Sequence, residues 1–157
     1  MIEVGDRAPE FEATDSRGEP FRLSSLRGRS VVLYFFPKAF TGGCTIETQQ
    51  FAALAPALTE KGVQIVGVSV DSAETEQRFA AHCGATFPIV SDAGKTIARS
   101  YGVLSLLGFS KRVTFFLDES GTVREIVTGM LPGPHLAKAK SRYLPETARP
   151  PPARNGP

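Results

Sequence analysis

The chain has 157 residues, near-average apolar and charged fractions, a formal net charge of +2, and only two cysteines and two histidines. That length supports one domain with a full core, and no apolar run approaches the roughly 20 residues that span a bilayer. Two cysteines exclude a disulfide framework and, with only His82 and His135 beside them, make a poor zinc site, so no metal is expected.

The N-terminus, Met1-Ile2-Glu3-Val4-Gly5-Asp6, carries acids where a secretory leader carries base, and a cytoplasmic protein is expected. Phe11–Thr14 and Phe21–Leu23 flank the turn signal Asp15-Ser16-Arg17-Gly18 and read as a short hairpin. Ser24–Gly28 reads as one helical turn, and Ser30–Phe36 as a central buried strand, being continuous in apolar residues. A helix follows from Gly43 to about Lys61, with Phe51, Leu54 and Leu58 on one face, a kink expected at Pro56, and Gly62 as its close. Gln64–Val70 is a second buried strand. Asp71-Ser72 opens another helix, with Glu74 three residues after Asp71 as in a capping box, and the helix runs through Phe79 to Cys83.

Phe87–Val90 reads as a short strand and Gly94–Tyr101 as a short helix. Val103–Lys111 is a loop carrying Leu104, Leu106, Leu107 and Phe109. Those four form a satellite core, or else line a site entrance or a dimer face; their place just before Arg112 favours the latter two. Val113–Leu117 and Thr122–Thr128 make a hairpin across Asp118–Gly121, and Pro134 to about Tyr143 is a weak terminal helix. Strands alternating with helices give an α/β fold, a central mixed sheet flanked by helices with an N-terminal β-hairpin. Residues 1–145 are expected to form one domain, and 146–157 a Pro-rich flexible tail. From Pro132 onward five basic residues face one acid, Glu146. So few cations, with no interleaved aromatics, do not suggest nucleic-acid binding.

One thiol stands out. Cys44 follows the strand, a short loop and the start of a helix, where unpaired N–H groups and the helix dipole favour a thiolate over a thiol. Two other patterns fade. Asp92-Ala93-Gly94-Lys95-Thr96 looks like the end of a P-loop, but Ile89 stands where the first glycine is needed, which leaves a helix cap. Thr41 occupies the first position of a C-x-x-C pair, so a dithiol exchange centre is absent.

Pro37-Lys38-Ala39-Phe40-Thr41-Gly42-Gly43-Cys44 fits P-x-x-x-T-x-x-C. With Glu47 and with Arg112 in Lys111-Arg112-Val113-Thr114-Phe115-Phe116-Leu117-Asp118, this run resembles the peroxiredoxins. Val4–Phe11, Phe87–Asp92 and Tyr101-Gly102-Val103 extend the likeness over about the first 130 residues. The resemblance implies a thioredoxin-like fold and a thiol-dependent peroxidase that acts on hydrogen peroxide and organic hydroperoxides without metal or organic cofactor. It also implies an active-site quartet of Pro37, Thr41, Cys44 and Arg112. Cys44 would attack and become a sulfenic acid, and Thr41 would accept from the peroxide and donate to the thiolate. Arg112 would favour the thiolate and hold the oxygens, Pro37 would shield the site, and Glu47 would orient the arginine.

Gly42 departs from many relatives, which have proline there, and Gly42-Gly43 is expected to loosen the helix start. The PrxQ branch often has a resolving cysteine five residues after the first; that position here is Gln49. A second version places it on the following helix, so Cys83 reads either as a resolving cysteine or as an inert core thiol. The Phe36–Gly42 segment also resembles the one-cysteine AhpE branch. There an external thiol (thioredoxin, glutaredoxin or a low-molecular-weight thiol) would regenerate Cys44. A peroxide sensor that relays oxidation to a partner is the alternative function. The chain would be a monomer or a homodimer.

Overall fold

The computed structural model describes residues 1–145; the expected tail, 146–157, lies outside the described residues. A five-stranded sheet, in the order β5-β4-β3-β6-β7, organises them. Strands β3 (Ser30–Phe35), β4 (Val63–Ser69) and β5 (Ile89–Ser91) run parallel. Strands β6 (Val113–Leu117) and β7 (Val123–Thr128) join antiparallel, with a register shift between Phe116 and Leu117. The sheet is therefore mixed. A separate hairpin, β1 (Glu12–Thr14) with β2 (Pro20–Arg22), precedes it, and a 3₁₀ turn spans Leu23–Leu26.

The apolar continuity of β3 has a direct cause: both faces of the sheet are covered. Val32, Tyr34 and Phe36 point to one face, into a cluster with Phe51, Leu58, Phe79, Phe116 and Leu136. Val31, Leu33 and Phe35 point to the other, against Phe11, Tyr101, Val103 and Phe115. The first face is covered by α1 (Gly42–Glu60), α2 (Ala73–Cys83) and α4 (Pro132–Tyr143); the second by α3 (Thr96–Tyr101) and the N-terminal hairpin segment.

Several local expectations change. Helix α1 continues past Pro56, which is exposed, so the proline does not end it. Leu54 is half-buried at the edge of the stripe. The capping box on Asp71 and Glu74 does not form. Ser72 is the N-cap of α2 and accepts from Thr75 N at 3.2 Å, because the Asp71 carboxylate is engaged elsewhere. Asp92 does cap: its two oxygens accept from Ile97 N at 3.0 Å and Ala98 N at 2.8 Å. The apolar loop divides three ways. Leu104 packs on the core, Phe109 lines a depression over Cys44, and Leu106 and Leu107 are exposed. No helix among the described residues is long and apolar enough to cross a membrane.

Gly67, on β4, faces the Tyr34 ring so closely that an added Cβ would stand 2.9 Å from the ring and hydroxyl atoms. Tyr34 cannot retreat: it is fully buried, stacks on Phe36 and packs at 4.5 Å between centroids on Phe51. Gly67→Ala is expected to destabilise the fold by about 1–3 kcal/mol through overpacking. Chemical denaturation would show this as a lower midpoint at unchanged slope.

Candidate active site

Cys44 is the third residue of α1. Strand β3 ends at Phe35, the chain turns through Pro37–Thr41, and Thr41 caps the helix with extended backbone (φ −79°, ψ 156°). The first intrahelical bond runs from Thr45 N to Thr41 O at 2.9 Å, so the N–H groups of Gly42, Gly43 and Cys44 lie in the unpaired first turn. The Cys44 residue is 1% exposed, yet it forms part of the floor of an open depression of about 410 Å³ lined by Pro37, Lys38, Thr41, Gly43, Phe109, Arg112 and Met130. The residue is thus nearly closed off from bulk solvent while bordering this depression.

Arg112 enters this depression from the residue just before β6. Its three kinds of nitrogen meet three acceptors. Nη2 donates to Cys44 Sγ at 3.4 Å, Nη1 to Glu47 Oε1 at 2.6 Å, and Nε to the Met130 carbonyl at 2.7 Å. The guanidinium is 4% exposed and Glu47 is fully buried, so solvent screens this ion pair little. Burial works against the Arg112 charge, but Glu47 and then Cys44 outweigh it and hold the group above its ordinary value. For Glu47 burial dominates: its carboxyl is pushed up to about 7, with Arg112 opposing. Its second oxygen has no hydrogen-bond partner among the described residues.

Glycine at position 43 also has a steric role. A Cβ there would stand 3.0 Å from Arg112 Nη2, so its absence makes room for the guanidinium; at Gly42 nothing lies within 4 Å. Thr41 also departs from expectation. Its hydroxyl donates to Lys38 O at 2.7 Å rather than to Cys44. The proton is thus committed to the loop, and the oxygen lone pairs remain free to accept. Pro37 is buried and walls the depression.

The remaining thiol, Cys83, closes α2. Its sulfur lies 4.0 Å from the Thr45 carbonyl, against the first turn of α1. Both cysteines are free, and burial pushes the Cys83 thiol up to about 11.

Other residues of this neighbourhood carry no motif. Asp71 Oδ2 accepts from Ala39 N at 2.8 Å and from Ser69 Oγ at 2.6 Å, which ties the cysteine loop to the end of β4. Glu76 Oε2 lies 2.8 Å from the same hydroxyl. One hydroxyl proton cannot serve two carboxylates, and burial pushes Glu76 up to about 9, so Glu76 is protonated and donates to Ser69, which donates to Asp71. The loop is also packed from outside, Phe40 lying 5.2 Å from Phe79 and 5.5 Å from the exposed His82 between ring centroids. A readable signal for Glu76 does exist: it falls three and seven residues before Phe79 and Cys83, on the apolar stripe of its helix.

A thiol at a helix start, a buried arginine on it and a carboxylate behind the arginine lie on a mixed sheet of thioredoxin-like order. This chain belongs to the AhpC/TSA family, whose description matches residues 4–126, and it is a peroxiredoxin. Its similarity is to the Bcp and PrxQ kind. It is 34% identical over 148 residues to a putative peroxiredoxin bcp of Coxiella burnetii, covering 90% of this chain and 98% of that one. It is 30% identical over 132 residues to peroxiredoxin Bcp of Escherichia coli, covering 80% and 85%. Among solved structures, peroxidoxin BcpB from Mycobacterium tuberculosis superposes with a TM-score of 0.84 at 34% identity, over 96% of this chain and all of that one. Peroxiredoxin Q from Xanthomonas campestris gives 0.79 at 30% identity, over 88% and 92%.

The protonated Glu76 makes a signed prediction. Its folded value, about 9, lies above its ordinary value of 4.5, so the folded state keeps a proton that the unfolded chain loses. The contribution of Glu76 to stability is complete below its ordinary value and falls as pH rises towards its folded value. Glu76→Gln, which cannot ionise, should flatten this part of the stability-versus-pH curve; denaturation midpoints across that range check it.

Proposed function

We propose that Cys44 is the peroxide-reducing thiol of this thiol-dependent peroxidase, acting on hydrogen peroxide and organic hydroperoxides. The observation that carries the reading is the 3.4 Å contact between Arg112 Nη2 and Cys44 Sγ on the floor of an open depression. A cation there, with the unpaired N–H groups of the α1 start, favours negative sulfur. The thiolate attacks one peroxide oxygen, the O–O bond breaks, and the leaving oxygen departs as alkoxide or hydroxide and takes a proton. Arg112 and the first-turn N–H groups are fixed donors aimed at the growing charge. Thr41 Oγ accepts a hydrogen bond from the peroxide O–H, and Pro37 and Phe109 restrict water at the reacting atoms.

The product on the protein is Cys44 sulfenic acid. Cys83 is the group best placed to resolve it, since its sulfur lies against the Thr45 carbonyl at the start of α1. Its thiol displaces hydroxide from the sulfenic sulfur, giving a disulfide and water. Held in its buried position Cys83 stays a thiol, so this step needs the first turn of α1 to unwind. A cellular dithiol or low-molecular-weight thiol then reduces the disulfide, and a thiol-reducing cytoplasm is the fitting compartment for this cycle. An alkyl peroxide reduction activity is named for the Xanthomonas campestris bacterioferritin comigratory protein, whose structure superposes with a TM-score of 0.79 at 30% identity.

Treatment of reduced protein with one equivalent of peroxide should remove two hydrogens from the intact mass. A gain of one oxygen instead would assign regeneration to an external thiol. Cys44→Ser should abolish peroxide consumption, and retained turnover would remove Cys44 from the reaction. Arg112→Met should slow the peroxide reaction by about a hundredfold or more, the usual effect of losing a fixed charge-stabilising donor; stopped-flow oxidation measures it.

A further inference from the structure

Nothing in the reaction just described uses His135, yet it is one of two histidines, fully buried, with both ring nitrogens engaged. Nε2 lies 2.9 Å from the Gly129 carbonyl. A carbonyl only accepts, so Nε2 carries the proton. Nδ1 lies 2.7 Å from Thr114 Oγ1, and in the neutral ring it accepts the threonine proton. One neutral tautomer satisfies both contacts. Burial and the nearby Arg112 charge both hold His135 below its ordinary value, in agreement with that assignment.

The two partners matter because of where they sit. Thr114 lies on β6, two residues after Arg112, which immediately precedes that strand. Gly129 follows β7 and precedes Met130, whose carbonyl receives Arg112 Nε. Gly129 has φ +127°, a conformation that glycine adopts and side-chain-bearing residues resist. A closed ring results. It runs along the chain from Arg112 to Thr114 on β6, across to His135 at the start of α4, to the Gly129 carbonyl, along one peptide to the Met130 carbonyl, and back to Arg112 Nε.

We infer that His135, with Thr114, is a positioning residue for peroxide reduction: it fixes the 129–131 strap so that Met130 O holds Arg112 Nε and leaves Nη2 aimed at Cys44. The reasoning is geometric. Arg112 is long and flexible, and Glu47 alone fixes one nitrogen. A second anchor at Nε defines the plane of the guanidinium, which decides whether Nη2 meets the sulfur. Met130 and Leu131 are exposed, so packing alone does not hold this strap, whereas His135 reaches it from the buried side. Displacement of a catalytic contact by an ångström costs up to about a hundredfold in rate, which is the scale at which such an anchor matters.

This inference rests on Cys44 and Arg112 being the reacting pair, so the test reads the pair both with and without peroxide. In a Cys83→Ser background a single thiol reports. Its alkylation rate by iodoacetamide is measured across the neutral range for Thr114→Val, His135→Phe, His135→Gln and Leu144→Ala. Thr114→Val and His135→Phe should each slow alkylation at neutral pH by about tenfold and move the rate-versus-pH curve to more alkaline values, as expected for a misplaced guanidinium. His135→Gln, which keeps an N–H for the Gly129 carbonyl, should recover part of the loss. Leu144→Ala opens a cavity near the end of the same helix and should weaken the fold without moving the curve. A wild-type curve in folded Thr114→Val or His135→Phe overturns the inference, and so does an equal displacement in Leu144→Ala. Thr114→Val decides the matter alone if the larger change at His135 prevents folding. Peroxide oxidation of the same variants should slow in parallel. If the unaltered protein consumed no peroxide, the peroxidase reading would fail, while the alkylation curves would still decide the role of His135.

Discussion

A single buried positive charge governs this molecule. Arg112 is almost wholly withdrawn from water, and a guanidinium so placed must satisfy its donors within the protein or cost several kcal/mol. It does so on a sulfur, a carboxylate and a backbone carbonyl, contributed by α1 and by the strap after β7. Those acceptors converge only if the first turn of α1, strand β6 and the segment entering α4 are in register. The charge is therefore a fold constraint as much as a chemical device. It is also divided: one guanidinium donates both to Glu47 and to the Cys44 sulfur. The fully buried Glu47 holds the arginine at the distance where it can still serve the sulfur.

The opposite side of the cysteine loop is held in another way. Asp71 accepts from the Ala39 N–H, Ser69 and protonated Glu76 back it, and Phe79 and His82 pack on Phe40. These contacts come largely from α2 and its approach, and α2 also carries Cys83. Chemistry and persistence of the loop are thus assigned to different parts of the chain. The arginine side touches the sulfur, and the α2 side holds the loop.

Much of this was legible in the residues. Strand β3 announced itself by apolar continuity, α1 by its stripe, and the sulfur by its place between them. The P-x-x-x-T-x-x-C run, Glu47 and Arg112 were readable as a group because resemblance supplied partners that lie far apart in the chain. What stayed hidden followed from two causes. Asp71 had the look of a capping residue, because its competing partner, the Ala39 N–H, lies 32 residues away and sequence shows no such contact. The steric role of Gly43 was hidden, because only the folded chain shows the arginine occupying the space a Cβ would need. His135 and Thr114 carry no spacing signal at all; they meet across 21 residues, one on a strand and one on a helix. Thr41 was placed correctly in the loop, but the direction of its proton is a matter of local geometry that residue type leaves open.

Phe40 sets the energetic character of the loop. It is half-exposed and holds φ at +66°, the left-handed region that a bulky side chain enters only at a cost of about 1–3 kcal/mol. The backbone at this point does not prefer the shape it has; ring contacts with Phe79 and His82 and the Asp71 bond hold it there. The segment resembles a set spring. Once those restraints part, the chain regains the energy of the unfavourable torsion, so departure of the sulfur from its seat is assisted by the residue that helped to form the seat.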